Sequence, residues 1–450
     1  MRSRFLGAIM LVGVCASVLS CRPANATDRP RIIATTDGEI DDRCSMVRFL
    51  LYANEWDIEG IIYSSSKFHW KGHNWAGENW IERDIDLYSE FYDNLKLHAH
   101  GFPTPGELED LVYVGNIDNV GEMKKETPGS NRIVQVLLDP KPDRVYLQAW
   151  GGTNTIARAL KTIQEKHPDQ MRRVSEKAVV YIILDQDRTF KNYILPNWPD
   201  LEVLASFRQF GCIAYRWNSA IPEDLHELFL GDWMKQNILR GHGPLCARYE
   251  SHGNQPNKHG RWYEGDFRSE GDSPAFMHQI DVGLRSLEHP AYGGWGGRFK
   301  RDGSGPNVWR GAEDDGDLNK PIWRWARAFQ NDWAARADWC VKNYKQANHP
   351  PLVNQPHDID LEVTPGEAVK LSVKGSTDPD GDQLSYRWWH YKEPGSYKGS
   401  VKILNADQPE ASFTAPKTPT RGKTAHVICE VTDSGTPPLT RYQRVIVTLK

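Results

Sequence analysis

From Arg31 onward short apolar runs alternate with helix-spaced stretches, and near Asn348-His349-Pro350-Pro351 that alternation stops. Residues 31–36, 58–63, 145–150 and 178–184 are compact and rich in Ile, Val or Tyr, as strands buried on both faces are. After the first of them, residues 43–53 set Met46, Phe49, Leu50 and Ala53 at helical spacing. Strands alternating with helices predict an α/β domain, a mostly parallel sheet flanked by helices with right-handed crossovers. Ligands of such sheets bind beyond the carboxyl ends of the strands.

Past the proline pair, Asp360-Leu361-Glu362-Val363, Val369-Lys370-Leu371-Ser372-Val373 and Val445-Ile446-Val447 alternate polar and apolar residues between Gly and Pro turns. This predicts a small all-β sandwich of roughly a hundred residues. A chain of 450 residues exceeds what one core usually organises. The expected organisation is an export segment over 1–26, the α/β domain over 27–347 and the sandwich over 348–450.

The export segment follows from Arg2 and Arg4 ahead of an apolar run over 5–19, with Ala24-Asn25-Ala26 as a small-x-small cleavage pattern. Ser20-Cys21 loosely resembles a lipoprotein site, with Leu19 a poor fit, so periplasmic or extracellular release is preferred to anchoring at Cys21. No stretch is long and apolar enough to be a transmembrane helix. Cleavage after Ala26 leaves Cys44, Cys212, Cys246, Cys340 and Cys429, an odd, scattered set without metal-site spacing. A net charge of -4 gives no basic excess for a nucleic acid polymer. The 17 tryptophans suit sugar stacking, but most Trp in a large domain fill its core.

At the end of the first strand, Thr35-Thr36-Asp37-Gly38-Glu39-Ile40-Asp41-Asp42 puts four carboxylates into six residues. Asp41 and Asp42 as helix caps would account for two. Asp37 and Glu39 on the same turn point to a hard cation with oxygen ligands.

The turn resembles the D-x-D-P-G-x-D-D motif of the calcium-dependent nucleoside N-ribohydrolases, with Asp37, Asp41 and Asp42 on three of its four aspartates. Two further segments follow in the family's order. Ala149-Trp150-Gly151-Gly152-Thr153-Asn154-Thr155-Ile156-Ala157 resembles its glycine turn before a helix, and Glu270-Gly271-Asp272-Ser273-Pro274-Ala275 resembles the segment with its last calcium aspartate. The likeness spans Arg31 to about Cys340 and is nearest an exported branch, sometimes labelled cellulose-binding proteins, with a small β domain appended. It implies Ca2+ held by Asp42, Asp272, Asp37 and a carbonyl near Asn154. Asp37 would take the water's proton, and Asp41 would hold sugar hydroxyls. The Asp272 position taken alone would read as a helix cap.

The chain departs from that pattern at several points. Thr35 replaces the first aspartate, Gly38-Glu39 replaces Pro-Gly, and Gly271 stands where many members carry a leaving-group histidine. Asn192 and Asn197 are the nearest counterparts of the ribose-binding asparagines.

Phe68, His69, Trp70, His73 and Trp75 follow the second strand. His69 and Trp70 are assigned to sugar stacking or proton donation, with an ordinary packed loop as the alternative. Asp314-Asp315-Gly316-Asp317 reads as a solvated loop, and residues 292–298 as a Gly-rich loop able to close over a ligand. Asp378-Pro379-Asp380-Gly381-Asp382 resembles turns of cadherin-like and immunoglobulin-fold modules, read as a tight polar turn. Trp388 and Trp389 should point to opposite faces of their strand, one into the core.

Two functions stay open, with a weaker third in which the β domain is an adhesion module and the α/β domain its stalk. The first is an exported calcium-dependent hydrolase of an N-ribosyl or other glycosidic bond. The second is a carbohydrate-binding protein that keeps the fold and the calcium but not the catalysis. The partner is a small sugar-containing or polysaccharide substrate; the homo-oligomer is left open.

Overall fold

The computed structural model describes residues 29–257, 260–417 and 421–450. The export segment and Cys21 lie outside the described residues. An eight-stranded sheet organises the first part, in the order β3-β2-β1-β4-β5-β6-β10-β9. Its strands are β1 (Arg31–Thr36), β2 (Asp57–Tyr63), β3 (Val112–Val114), β4 (Val145–Ala149), β5 (Ala178–Ile183), β6 (Glu202–Ser206), β9 (Phe299–Arg301) and β10 (Val308–Gly311), while β7 (Gln255–Asn257) and β8 (Gly260–Trp262) form a separate hairpin. All neighbours pair in parallel except β9, which runs antiparallel to β10 at the edge.

The period-two geometry of a strand divides its residues between two cores. Ile32, Ala34 and Tyr181 pack into one, Ile33, Val180 and Ile182 into the other. Burial on both faces explains why these strands are continuously apolar. The chain leaves β1 for β2 on one side and returns through β4 on the other, so the strand order reverses at β1. Such a reversal opens a crevice at the carboxyl ends of the strands.

The last long helix of this part is Ala326–Trp339. Beyond it, β11 (Asp360–Val363), β16 (Thr440–Leu449), β15 (Thr424–Thr432) and β13 (Ser385–Tyr391) form one sheet, and β12 (Ala368–Ser372) pairs with β14 (Glu410–Thr414) in another. Both contribute to one apolar core around Trp388, Val427, Val445 and Phe413. Trp388 is buried there as the alternation requires; Trp389, on the opposite face, packs at 6.0 Å from Trp325 of the α/β part.

The seam between the two parts is dense. Arg444 donates to the carbonyls of Leu284, Tyr292 and Gly293, and the Arg441 guanidinium donates to Asp332 at 2.8 Å. Asp314 is fully buried, accepting from Arg298, Arg324 and the Tyr391 hydroxyl. The solvated-loop reading of 314–317 therefore fails at Asp314, whose charge is matched by two guanidinium groups. Trp295 is also buried, so the loop over 292–298 is packed rather than poised above a ligand. Asp378 accepts from the amides of Asp380 and Asp382, the tight polar turn expected. All five described cysteines are buried and free. Among the described residues no helix is long and apolar enough to cross a membrane.

Candidate active site

The carboxyl ends of the central strands are tied together by backbone bonds from Ser64 N to Thr36 O, Trp150 N to Thr35 O and Gly152 N to Ser65 O. The helix after β1 starts at Ile40, three residues before the apolar spacing announces it, which sets Asp41 and Asp42 in its first turn. Neither caps it: Glu39 holds the cap position without a side-chain cap bond. Gly38 makes the turn with φ +77°, and a Cβ there would meet Ala76 at 2.8 Å.

Asp42 Oδ1 accepts from the Thr36 hydroxyl at 2.5 Å and from the Asp37 amide at 3.1 Å. Asp272 stands at the cap position of Ser273–Met277 without the cap bond that would explain it structurally. One carboxylate oxygen each from Asp41, Asp42 and Asp272 lies within 4.8 Å of the others. Asp37 Oδ2 and Asp272 Oδ2 are buried with no hydrogen-bond partner. Burial, and then neighbouring carboxylates, push Asp41, Asp42 and Asp272 well above the usual carboxylate range. Buried acids with orphaned oxygens require a proton or a cation, and an all-oxygen set fits a hard divalent ion.

The adjoining cleft has a volume of about 240 Å³, with Asp41, Asp42, Phe68, Gln186, Phe210 and Tyr215 in its lining. Tyr215 donates to Glu39 Oε1 at 3.0 Å and to Asp41 Oδ1 at 3.2 Å. His69 Nδ1 lies 3.6 Å from Glu39 Oε2 and 3.9 Å from Asp37 Oδ2, so the loop after β2 does reach the acidic turn. Trp70 stacks on His73, with ring centroids 4.1 Å apart.

Of the expected residues, Asn192 and Asn197 fall away from the cleft. Asp41, assigned to sugar hydroxyls, joins Asp42 and Asp272 in the acid cluster. The Asn154 side-chain nitrogen donates to Ser65 Oγ and the carbonyls of Asn116 and Glu122, while its Oδ1 is buried without a partner; none of these bonds touches the expected main-chain carbonyl. Asn192 is exposed and Asn197 donates to the Tyr193 carbonyl; neither lines the cleft. Thr35 buries its hydroxyl on the Gln148 carbonyl, which explains how a neutral residue replaces an aspartate there.

The motifs did not reveal Tyr215, Gln186 or Asp187. Gln186 donates to the Trp150 carbonyl at 2.6 Å, and Asp187 accepts from the Asn154 backbone N–H at 2.8 Å. The only trace in the sequence is Asp185-Gln186-Asp187 directly after a strand.

Comparison with known proteins agrees with this fold. Residues 31–299 match the family described as cellulose-binding Sde182, nucleoside hydrolase-like domain, and residues 368–449 match the C-terminal domain of cellulose-binding protein Sde0182. A nucleoside hydrolase-related hypothetical protein from Saccharophagus degradans, associated with carbohydrate metabolism, is 32% identical. That match has a TM-score of 0.77 and covers 94% of this chain and 100% of the other. A plant nucleoside hydrolase, PpNRh1, is 12% identical with a TM-score of 0.34, covering 70% of this chain and 99% of its own, a likeness too slight to argue from. No curated protein matches the chain. With more than half its length matched and a relative aligned over nearly all of it, the chain belongs to the cellulose-binding Sde182 family with a nucleoside hydrolase-like domain.

Proposed function

We propose that the acidic cleft is a calcium-dependent hydrolytic site, exported with the chain, that cleaves an N-ribosyl or other glycosidic bond of a small sugar-bearing substrate. The observation that carries this reading is the pair of orphaned, buried oxygens, Asp37 Oδ2 and Asp272 Oδ2, beside the cluster of Asp41 and Asp42. Asp42, Asp272 and Asp37 would hold the ion, with Asp41 drawn into the same set. Bound calcium would offset the crowded negative charge, fix the attacking water and acidify it. Asp37 Oδ2, buried without a hydrogen-bond partner, would be the group placed to accept the water's proton. Tyr215 holds Asp41 and Glu39 in fixed orientations for sugar hydroxyls. Phe68 and Phe210 narrow the cleft against bulk water. As the sugar carbon gains oxocarbenium character, the surrounding carboxylates stabilise it.

The test is sugar release from a panel of nucleosides and aryl glycosides, with calcium and with chelator. Calcium-dependent release that Asp37→Asn abolishes, in a variant that melts like the parent, supports the mechanism. Undiminished turnover in that variant refutes it.

A second reading, glycan binding without catalysis, draws on Gly271. A Cβ there would stand 2.6 Å from Asp41 Oδ2, so the position leaves no room for a leaving-group acid. The cellulose-binding description of the family favours the same reading. Saturable binding to insoluble glycan without sugar release would decide for it.

A further inference from the structure

Of the 17 tryptophans, twelve are buried and belong to the cores. The other five are half-buried, and their positions are not scattered. Trp70 and Trp75 belong to the loop after β2, beside the acidic cleft. Trp389 is held in the seam between Trp325, 6.0 Å away, and the Arg324 guanidinium, 4.9 Å from its ring. That leaves Trp233 and Trp323, and both line one groove of about 870 Å³ between the α/β part and the sandwich.

Open indole surface on an otherwise well-packed molecule marks a place where something docks. Trp323 is fixed for such a role: its Nε1 donates to Asp317 Oδ2 at 2.8 Å, and Lys320 Nζ lies 5.5 Å from the ring centroid. The sandwich forms the other wall with Thr432 and Thr440, whose hydroxyls lie 2.9 Å apart. The exposed amide of Gln236 adds a further polar group. Aromatic faces with a few hydroxyl and amide groups at a domain junction are what a sugar chain needs, apolar ring faces meeting indole and ring hydroxyls meeting polar groups.

The charges specify the chain further. All three arginines of the groove are already paired, Arg327 with Glu227 at 3.1 Å, Arg387 with Glu430 at 2.6 Å and Arg324 with Asp314 at 2.7 Å. No surplus of positive charge remains to draw in a uronic or sulfated polymer. Volume separates the two sites as well. The groove falls within the usual range for ligand sites of about 300–1,000 Å³, whereas the acidic cleft, at about 240 Å³, admits little more than the reacting unit.

We propose that the interdomain groove is a second, non-catalytic glycan site that takes a segment of neutral, flat-ringed polysaccharide stacked on Trp233 and Trp323. It does not rest on the chemistry of the acidic cleft. Calorimetric titration of the full chain with cellohexaose, and with hexagalacturonate as the charged counterpart, tests it. Cellohexaose should bind saturably, tenfold or more weakly to Trp233→Ala, and immeasurably to Trp233→Ala/Trp323→Ala. Asp37→Asn should bind like the parent. Gln236→Arg, a change at an exposed position, fills the groove without touching a core and should also weaken binding at least tenfold. The proposal is overturned by no cellohexaose binding, by unchanged affinity in the double variant or in Gln236→Arg, by loss in Asp37→Asn, or by tighter binding of hexagalacturonate.

Discussion

Asp41 occupies the space a side chain at Gly271 would need: a Cβ there would stand 2.6 Å from Asp41 Oδ2 and 3.3 Å from Phe210 Cδ2. Asp41 has little freedom to retreat, because its other oxygen accepts from Tyr215. The absence of a side chain at 271 therefore sets the position of a carboxylate in the acid cluster. Gly271→Ala should displace Asp41 and weaken calcium binding about tenfold or more, read by calorimetry. Unchanged affinity would mean that Asp41 is not a ligand.

The cluster of Asp41, Asp42 and Asp272 predicts that a divalent cation stabilises the native chain. A ligand at a hundred times its Kd adds about 2.7 kcal/mol. Calcium should raise the melting temperature, chelator should reverse the rise, and Asp272→Asn should remove most of it. An equal rise in Asp272→Asn would place the ion elsewhere.

The sheet was legible in the sequence because its strands are buried on both faces, so residues such as Ile32 and Ile33 are apolar alike while serving different cores. The acidic turn was legible because its four carboxylates crowd into six residues. Tyr215 was not, since it lies just past the irregular turn Gln209–Ile213 and meets Asp41 across 174 residues. Trp389 shows the limit of alternation. Period two put it opposite Trp388, but only the packing of the two domains decided that its side would be covered by Trp325. The same packing turned Asp314 from an apparent surface charge into a buried one.

Arg444 joins the two domains through three backbone carbonyls, and burial brings its pKa down to about 10. Arg444→Ala leaves those carbonyls without their donor, a loss on the order of 3–5 kcal/mol. The sandwich should then melt separately from the α/β domain, giving two calorimetric transitions where the parent gives one. A single unshifted transition in the variant would show that the seam holds without it.

Asp84, on the helix Trp80–Ser89, is 1% exposed, with Arg248 Nε 3.3 Å from Oδ1. Burial outweighs that partner and raises the carboxyl pKa to about 7. An unfolded aspartate titrates near 3.9. Between these values the folded chain keeps a proton that the unfolded chain releases. Its contribution to stability is therefore complete at acid pH and is lost as pH rises through about 7, at up to about 1.4 kcal/mol per pH unit. Asp84→Asn, which cannot ionise, should escape that loss. Denaturation curves for parent and variant should diverge in the variant's favour from about pH 4 to pH 7 and run parallel above it. If the parent gains on the variant over that interval, the Arg248 ion pair outweighs the cost of burying the charge.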